Sequence, residues 1–88
     1  MRINFKLFAM LSDHLPNEAG GHRRSGNELP VDVAAGTCVQ AVIDQFRLPS
    51  RLVHLVLVNG VYVPPQARAG HRLNAGDELA IWPPIAGG

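Results

Sequence analysis

Cysteine is nearly absent from this sequence, and its histidines are few and scattered. The single cysteine, Cys38, excludes an internal disulfide framework and a cysteine-rich zinc site, and it is consistent with a reducing compartment. The histidines lack the paired spacing of metal ligands, so no metal site is predicted at His14, His22, His54 or His71. A glycine-rich loop followed by Lys-Ser or Lys-Thr is also missing, so no nucleotide-binding site is predicted.

Excess charge and long apolar runs are missing as well. Eight Lys and Arg against seven Asp and Glu leave a formal charge of +1, which predicts neither a nucleic-acid nor a membrane partner. No apolar run approaches the roughly 20 residues that span a bilayer, and the N-terminus lacks the apolar block of a signal peptide. We expect a soluble, cytoplasmic protein, and 88 residues suffice for one small domain.

The first half of the chain shows two alternating segments around a turn-rich loop. Apolar and polar residues alternate over residues 2–11 and again over 27–33, which predicts two strands joined by a long loop at 12–26. Pro30 indicates an edge strand, because proline cannot donate to a sheet ladder. Phe8 breaks the alternation and should point to the outer face, where it is either incidental or part of a contact surface.

A helix is predicted at about residues 38–47. Apolar residues follow helical spacing there, and Thr37 as N-cap with Gln40 three residues later matches a capping box. Pro49 ends the segment. Cys38 would lie in the first turn, where it is either a reactive thiol or, as we favour, a small buried filler.

In the second half of the chain, apolar segments predict three further strands, at residues 52–58, 61–63 and 78–82. Asn59-Gly60 predicts a two-residue type I′ turn between the first two. Residues 66–76 read as a polar connection. In the last strand Leu79 and Ile81 should face inward, so Trp82 should face outward.

The last seven residues, 82–88, begin with two conformationally restricted prolines and end in two glycines that have no side chain. Pro83 and Pro84 stiffen it, and the two final glycines carry no Cβ. The four residues after Pro84 could reach about 13 Å when extended. Taken alone, this segment is either a frayed end or a thread that presents a carboxylate to another protein's active site.

Residues 76–88 resemble the ending of the ubiquitin-like sulfur carriers, most of all the small subunit of molybdopterin synthase, with its Gly-Asp strand, Pro-Pro pair and Gly-Gly. Residues 5–9 are also similar to that family's first strand. The short helix and the hairpin at 58–60 look like the thiamine-pathway sulfur carrier.

The resemblance implies an α+β fold of the β-grasp (ubiquitin-like) class. That fold has a mixed sheet of about four to five strands and one main helix. It would form a single domain over 1–88, its last strand parallel to the first and a flexible tail at about 84–88.

The resemblance also implies a chemistry for the tail. An E1-like adenylyltransferase would use ATP to adenylate the carboxylate of Gly88, so the chain itself would bind no cofactor. A sulfur donor of the cysteine desulfurase or rhodanese type would then convert the adenylate to a thiocarboxylate. Gly87 and Gly88 leave no bulk beside the reacting carbon. The chain would be a non-catalytic sulfur-donating subunit or cosubstrate.

The same resemblance implies which residues meet the partner, the large synthase subunit or another sulfur acceptor. These are Phe8, Tyr62, Trp82, Pro83, Pro84, Ile85 and Ala86. The alternative for the three aromatics is a small outer-face cluster covered by the loop at 12–26. Three arginines, Arg51, Arg68 and Arg72, are expected to be solvated, or else to contact an acidic groove on the activating enzyme.

Molybdenum or tungsten cofactor biosynthesis is the favoured destination of the sulfur. Three alternatives stay open. The sulfur could serve thiamine thiazole, cysteine or tRNA thiolation. The chain could be a ubiquitin-like modifier that forms isopeptide bonds with lysines. It could also be a plain β-grasp binding module with an inert tail.

Overall fold

The computed structural model describes residues 1–84, which form a mixed five-stranded sheet with one α-helix packed against it. The strands and the helix are, in chain order, β1 (Arg2–Leu7), β2 (Glu18–Ala19), β3 (His22–Arg23), β4 (Glu28–Asp32), α1 (Val39–Gln45), β5 (Leu55–Val58), β6 (Val61–Tyr62) and β7 (Glu78–Trp82). The main sheet has the order β4-β1-β7-β5-β6, and β2 pairs with β3 separately. Strands β1 and β7 are parallel neighbours, and the other pairs are antiparallel. The expected β-grasp fold is confirmed.

The core lies between α1 and the inner face of the sheet. Alternate residues of β1, namely Ile3, Phe5 and Leu7, are at most 1% exposed. The parallel register places Phe5 beside Leu79 and Leu7 beside Ile81, so both predicted inward residues of β7 are buried there. Helix α1 adds three buried apolar side chains, Val39, Val42 and Ile43. Each large apolar side chain buried in this way contributes about 1.5–3 kcal/mol, which holds β7 in the middle of the sheet.

The first strand ends earlier than predicted. It stops at Leu7 rather than at residue 11, and a 3-10 helix follows at Ala9–His14. Ala9 has a φ of 51°, which breaks the extended chain. Leu11, within the 3-10 helix, and Leu15, just after it, are nevertheless buried in the core.

The segment 12–26, predicted as a loop, contains a small hairpin. Strands β2 and β3 are joined by Gly20 and Gly21, whose φ angles of 56° and 83° suit a tight turn of glycines. The Arg24 guanidinium donates to the carbonyls of Ser12 and Leu15 at 2.9 and 2.8 Å. A single arginine therefore ties the hairpin back to the preceding 3-10 helix.

Helix α1 begins later than predicted and without the capping box. Cys38 is the N-cap, half-buried, rather than a buried first-turn residue, and no side chain caps the helix. The Thr37 hydroxyl donates instead to the Ala34 carbonyl, and the Gln40 side chain donates to Asp44. The helix amides are satisfied from elsewhere: the backbone N–H of Val39 donates to the carbonyl of residue 71, and that of residue 40 donates to the carbonyl of residue 68. Tertiary contacts therefore replace the cap.

Strand β7 has the predicted bounds, whereas β4, β5 and β6 are each shorter than predicted. Strand β5 starts at Leu55 because a 3-10 helix occupies Ser50–Leu52. Asn59 and Gly60 have φ angles of 50° and 82°, which confirms the type I′ turn. Strand β4 is an edge, as Pro30 indicated. Among residues 1–84 no helix has the length and apolar character needed to cross a membrane.

Candidate partner surface and the root of the tail

The outer face of the sheet, which points away from α1, carries an apolar surface around the end of β7. Residues paired directly across neighbouring strands share a face. Leu57 of β5 pairs with Ala80 on one side and with Tyr62 on the other, and Leu55 pairs with Trp82. We call the set Phe8, Leu55, Leu57, Tyr62, Ala80 and Trp82 the outer apolar face.

Phe8 and Trp82 form a parallel stack at one end of this face. Their ring centroids are 3.9 Å apart and the rings are inclined by 7°. The backbone N–H of Phe8 donates to the carbonyl of Ile81 at 3.1 Å, which continues the β1–β7 pairing by one residue. Such a pair contributes about 0.5–1.5 kcal/mol beyond its buried area. The stack therefore orients Trp82 at the point where the chain leaves the sheet.

Tyr62 lies on the same face but apart from that stack. It belongs to edge strand β6, which β5 separates from β7, and its side chain is 51% exposed. The structure thus places all three predicted aromatics on one face and brings two of them, Phe8 and Trp82, into contact. The hairpin of the 12–26 segment packs at the opposite edge, where His22 contacts Asp32 of β4 at 3.1 Å.

A charged cluster borders the outer apolar face. Lys6 of β1 has its Nζ atom 2.6 Å from Glu78 Oε1 and 3.0 Å from Glu28 Oε1. Hydrogen bonds that Lys6 donates to the carboxylates of Glu78 first and Glu28 second raise the pKa of Lys6 above its ordinary value. Reasoning from the sequence missed this cluster. The outward position of Lys6 in an alternating strand was the available signal, but its partners depend on the pairing of three strands.

The root of the tail is firmly paired. The backbone N–H of His54 donates to the carbonyl of Trp82 at 3.1 Å, so the ladder extends to the last residue of β7. Pro83 is buried by its own chain, and Pro84 is exposed. The chain therefore leaves the sheet at Pro84. The other predicted tail residues, Ile85, Ala86, Gly87 and Gly88, lie outside the described residues.

The start of β7 is held by a side-chain clasp. The Asn59 amide donates to Asp77 Oδ1 at 2.9 Å and accepts the backbone N–H of Glu78 at 2.9 Å. The other Asp77 oxygen accepts the N–H of Asn74 at 2.8 Å. The clasp joins the β5–β6 turn to β7 and sets the register of the strand that ends in the tail.

One predicted surface residue is in fact buried. Arg68 is 5% exposed, so neither predicted role, solvated or partner-facing, is correct. Its guanidinium donates to the carbonyls of Val63 and His54 at 3.1 and 3.3 Å. Arg51 and Arg72 are exposed, as expected.

A family model described as the ThiS family matches residues 22–88. The chain belongs to the ThiS family. The match includes Tyr62, Trp82 and the whole tail, whereas β1 and Phe8 precede it. The resemblance to the ubiquitin-like sulfur carriers is thereby confirmed at the level of the family.

Two crystal structures are similar to this ThiS-family chain. That of SAMP1 from Haloferax volcanii has a TM-score of 0.65 and 29% identity, and the match covers 100% of both chains. That of small archaeal modifier protein 1 from H. volcanii has a TM-score of 0.65 and 28% identity, and it covers 96% of this chain and 98% of the other. A search of curated proteins gave no match. Family and structures together support a ubiquitin-like sulfur carrier or modifier.

Proposed function

We propose that the chain is a sulfur carrier whose Gly88 carboxylate is activated and then converted to a thiocarboxylate. The observation that carries this proposal is the placement of β7. It is the central strand, it pairs up to Trp82, and in the sequence it is followed directly by this chain's own Pro-Pro pair and Gly-Gly end, which lie within the residues that the ThiS-family model matches. Rigid pairing up to Trp82 followed by a thin end suits delivery of a terminal group into another protein.

The proposed chemistry uses the terminal carboxylate and no side chain of this protein. A carboxylate oxygen attacks the α-phosphate of ATP in an E1-like adenylyltransferase, and pyrophosphate leaves. A persulfide sulfur, supplied by a cysteine desulfurase or rhodanese-type donor, then attacks the acyl carbon, and AMP leaves. Reductive cleavage of the resulting acyl disulfide by a thiol frees the thiocarboxylate. Glycine at 87 and 88 suits both attacks because neither residue carries a Cβ.

The favoured destination of the sulfur is the pterin of molybdenum or tungsten cofactor, in the active site of a large synthase subunit. The outer apolar face supports this part of the proposal. It presents the Phe8–Trp82 stack and the exposed Tyr62 beside the strand that ends in the tail. A partner that covers this face would receive the tail at the same time, and aromatic side chains are frequent anchors of interfaces.

The activation step is tested by intact-mass analysis. The protein is incubated with an E1-like adenylyltransferase, ATP and a sulfide source, and a thiocarboxylate is expected at Gly88. Because Cys38 is half-buried and could react, the Cys38→Ala variant is used for thiol-specific alkylation of the C-terminus. A chain extended by one residue after Gly88 is the matched control and should accept no sulfur. Sulfur uptake by the extended chain would refute the mechanism.

The partner surface is tested with a pair of exposed apolar residues. Tyr62→Ala removes a side chain of the outer apolar face, and Met10→Ala removes one that is 57% exposed in the 3-10 helix after β1. Affinity for a molybdopterin synthase large subunit should fall about 30-fold for Tyr62→Ala, the scale of an interface anchor. Met10→Ala should leave it unchanged. If both variants lost the same affinity, the outer apolar face would not be the partner surface.

A second candidate, a protein modifier, is favoured by the similarity to small archaeal modifier protein 1. In that case activated Gly88 would form isopeptide bonds with lysines of other proteins. Peptide mapping of reactions that contain ATP, the adenylyltransferase and acceptor proteins separates the two. Lysine-linked conjugates without a thiocarboxylate would favour the modifier.

A further inference from the structure

The protein has one lysine in its 88 residues, and that lysine lies between two carboxylates. Lys6 lies in β1, between β4 and β7. Its Nζ atom is 3.0 Å from Glu28 Oε1 and 2.6 Å from Glu78 Oε1, and its side chain is 24% exposed. The two carboxylates come from the two neighbouring strands, one on each side.

The backbone holds this arrangement in place. Lys6 and Glu28 are directly paired in the antiparallel β1–β4 ladder. Glu78 pairs with Asn4 in the parallel β1–β7 ladder, two residues before the partner of Lys6, and points to the same face. Side chains this close on one sheet face interact directly. The two ladders therefore place one carboxylate on each side of the amine.

This geometry bears on an acyl-transfer reaction, because an activated C-terminus can be consumed by an amine as well as by sulfur. In that side reaction the amine nitrogen attacks the acyl carbon of the adenylate, and a C–N bond forms. The C–O bond to AMP breaks, AMP leaves with the electron pair, and the amine proton passes to solvent. The nitrogen must present a free lone pair. Two hydrogen-bonded carboxylates favour the protonated amine, and the raised pKa of Lys6 agrees with this.

We propose that Glu28 and Glu78 are positioning residues that withhold Lys6 from acylation, so that activated Gly88 of one copy is not consumed on the lysine of another. This proposal rests on the proposed activation of Gly88. It implies a carrier, or a modifier added as a single unit, rather than a protein that builds chains of itself. A sulfur carrier gains directly, since self-acylation would compete with sulfur transfer.

The first test needs no activating enzyme. The folded protein is acetylated with an N-hydroxysuccinimide ester, and modification of Lys6 is measured against that of the Met1 amine by peptide mass spectrometry. In the Glu28→Gln/Glu78→Gln variant the relative rate at Lys6 should rise about fivefold or more, the scale of one partly exposed ion pair. Glu18→Gln, which removes an exposed carboxylate in β2, is the control and should change nothing. An unchanged rate in a folded double variant overturns the proposal.

The second test adds the E1-like adenylyltransferase and ATP without a sulfur source. The wild-type protein should give no covalent dimer linked from Gly88 to Lys6, the double variant should give one, and Lys6→Arg in that background should abolish it. Wild-type dimer forming as fast as variant dimer contradicts the proposal. If no variant releases pyrophosphate, the proposed activation of Gly88 fails, while the acetylation rates still decide whether Lys6 is withheld.

Discussion

Replacing Arg68 with methionine is expected to destabilise the fold without touching a partner surface. The guanidinium donates to the carbonyls of Val63 and His54 from a side chain that is 5% exposed. Methionine fills a similar volume but donates no hydrogen bond. The Val63 carbonyl belongs to a residue that is 2% exposed, so water cannot readily replace the lost donor.

The expected loss is about 2 kcal/mol, within a range of roughly 1–4 kcal/mol. A buried carbonyl left without a partner costs about 1–3 kcal/mol, and the carbonyl of exposed His54 costs less because water can reach it. Removing a charge from the interior offsets part of this cost. A domain of this size has a total stability of roughly 4–13 kcal/mol, so the variant should still fold. Its midpoint of thermal unfolding should fall by about 8–16 °C.

The assay is urea unfolding followed by the fluorescence of Trp82, the single tryptophan. Arg51→Met is the matched control, since the Arg51 side chain is exposed, and its stability should stay within about 0.5 kcal/mol of the wild type. The free energy of unfolding of Arg68→Lys should lie between those of Arg68→Met and the wild type. The lysine ammonium keeps the charge but lacks the planar guanidinium that reaches two carbonyls. If Arg68→Met is as stable as Arg51→Met but is no longer adenylated, the buried structural role is wrong and a partner contact is right.

Three further perturbations follow from the described residues. Gly60→Ala should cost about 1 kcal/mol in urea unfolding because φ is +82° with open space around the position, so only backbone strain acts, whereas the same change at Gly70 should cost less. Leu79→Ala, in the central strand and 0% exposed, should cost about 2–5 kcal/mol in the same assay, and a loss below 1 kcal/mol would contradict the central placement of β7. The raised pKa of Lys6 adds stability that is full below its ordinary value of 10.5 and is lost as pH rises through the folded-state pKa. Alkaline unfolding curves should therefore converge for wild type and Lys6→Met, and curves that stay parallel would show that this ion cluster does not contribute.

Much of the fold could be predicted because it depends on short-range patterns. Alternation marked β1 and the inward positions of Leu79 and Ile81, Pro30 marked an edge, and Asn59 and Gly60 marked the tight turn. The prediction was wrong where a local pattern competed with packing. Strand β1 ends at Leu7 because Ala9, with a φ of 51°, turns the chain into a 3-10 helix. Helix α1 starts without the predicted capping box because its first backbone N–H groups donate to the carbonyls of residues 68 and 71 instead.

The candidate site, too, could be predicted from the sequence only in part. The outward direction of Phe8 and Trp82 could be predicted from the parity of their strands, and their contact could not. The burial of Arg68 was missed because its neighbours in sequence resemble a solvated loop. Its hydrogen-bond partners are the carbonyls of His54, just before β5, and Val63, just after β6.

The sequence by itself determined the period-two strands, the glycine-dependent turn and the thin Gly-Gly end, since each depends on the conformational preferences of adjacent residues. Only the tertiary structure decided which side chains meet. Strand β7 lies between β1 and β5, and this placement alone stacks Trp82 on Phe8 and sets Glu78 beside Lys6. Strand order and register arise from burial of the whole core, so contacts between distant strands are not encoded in any one segment.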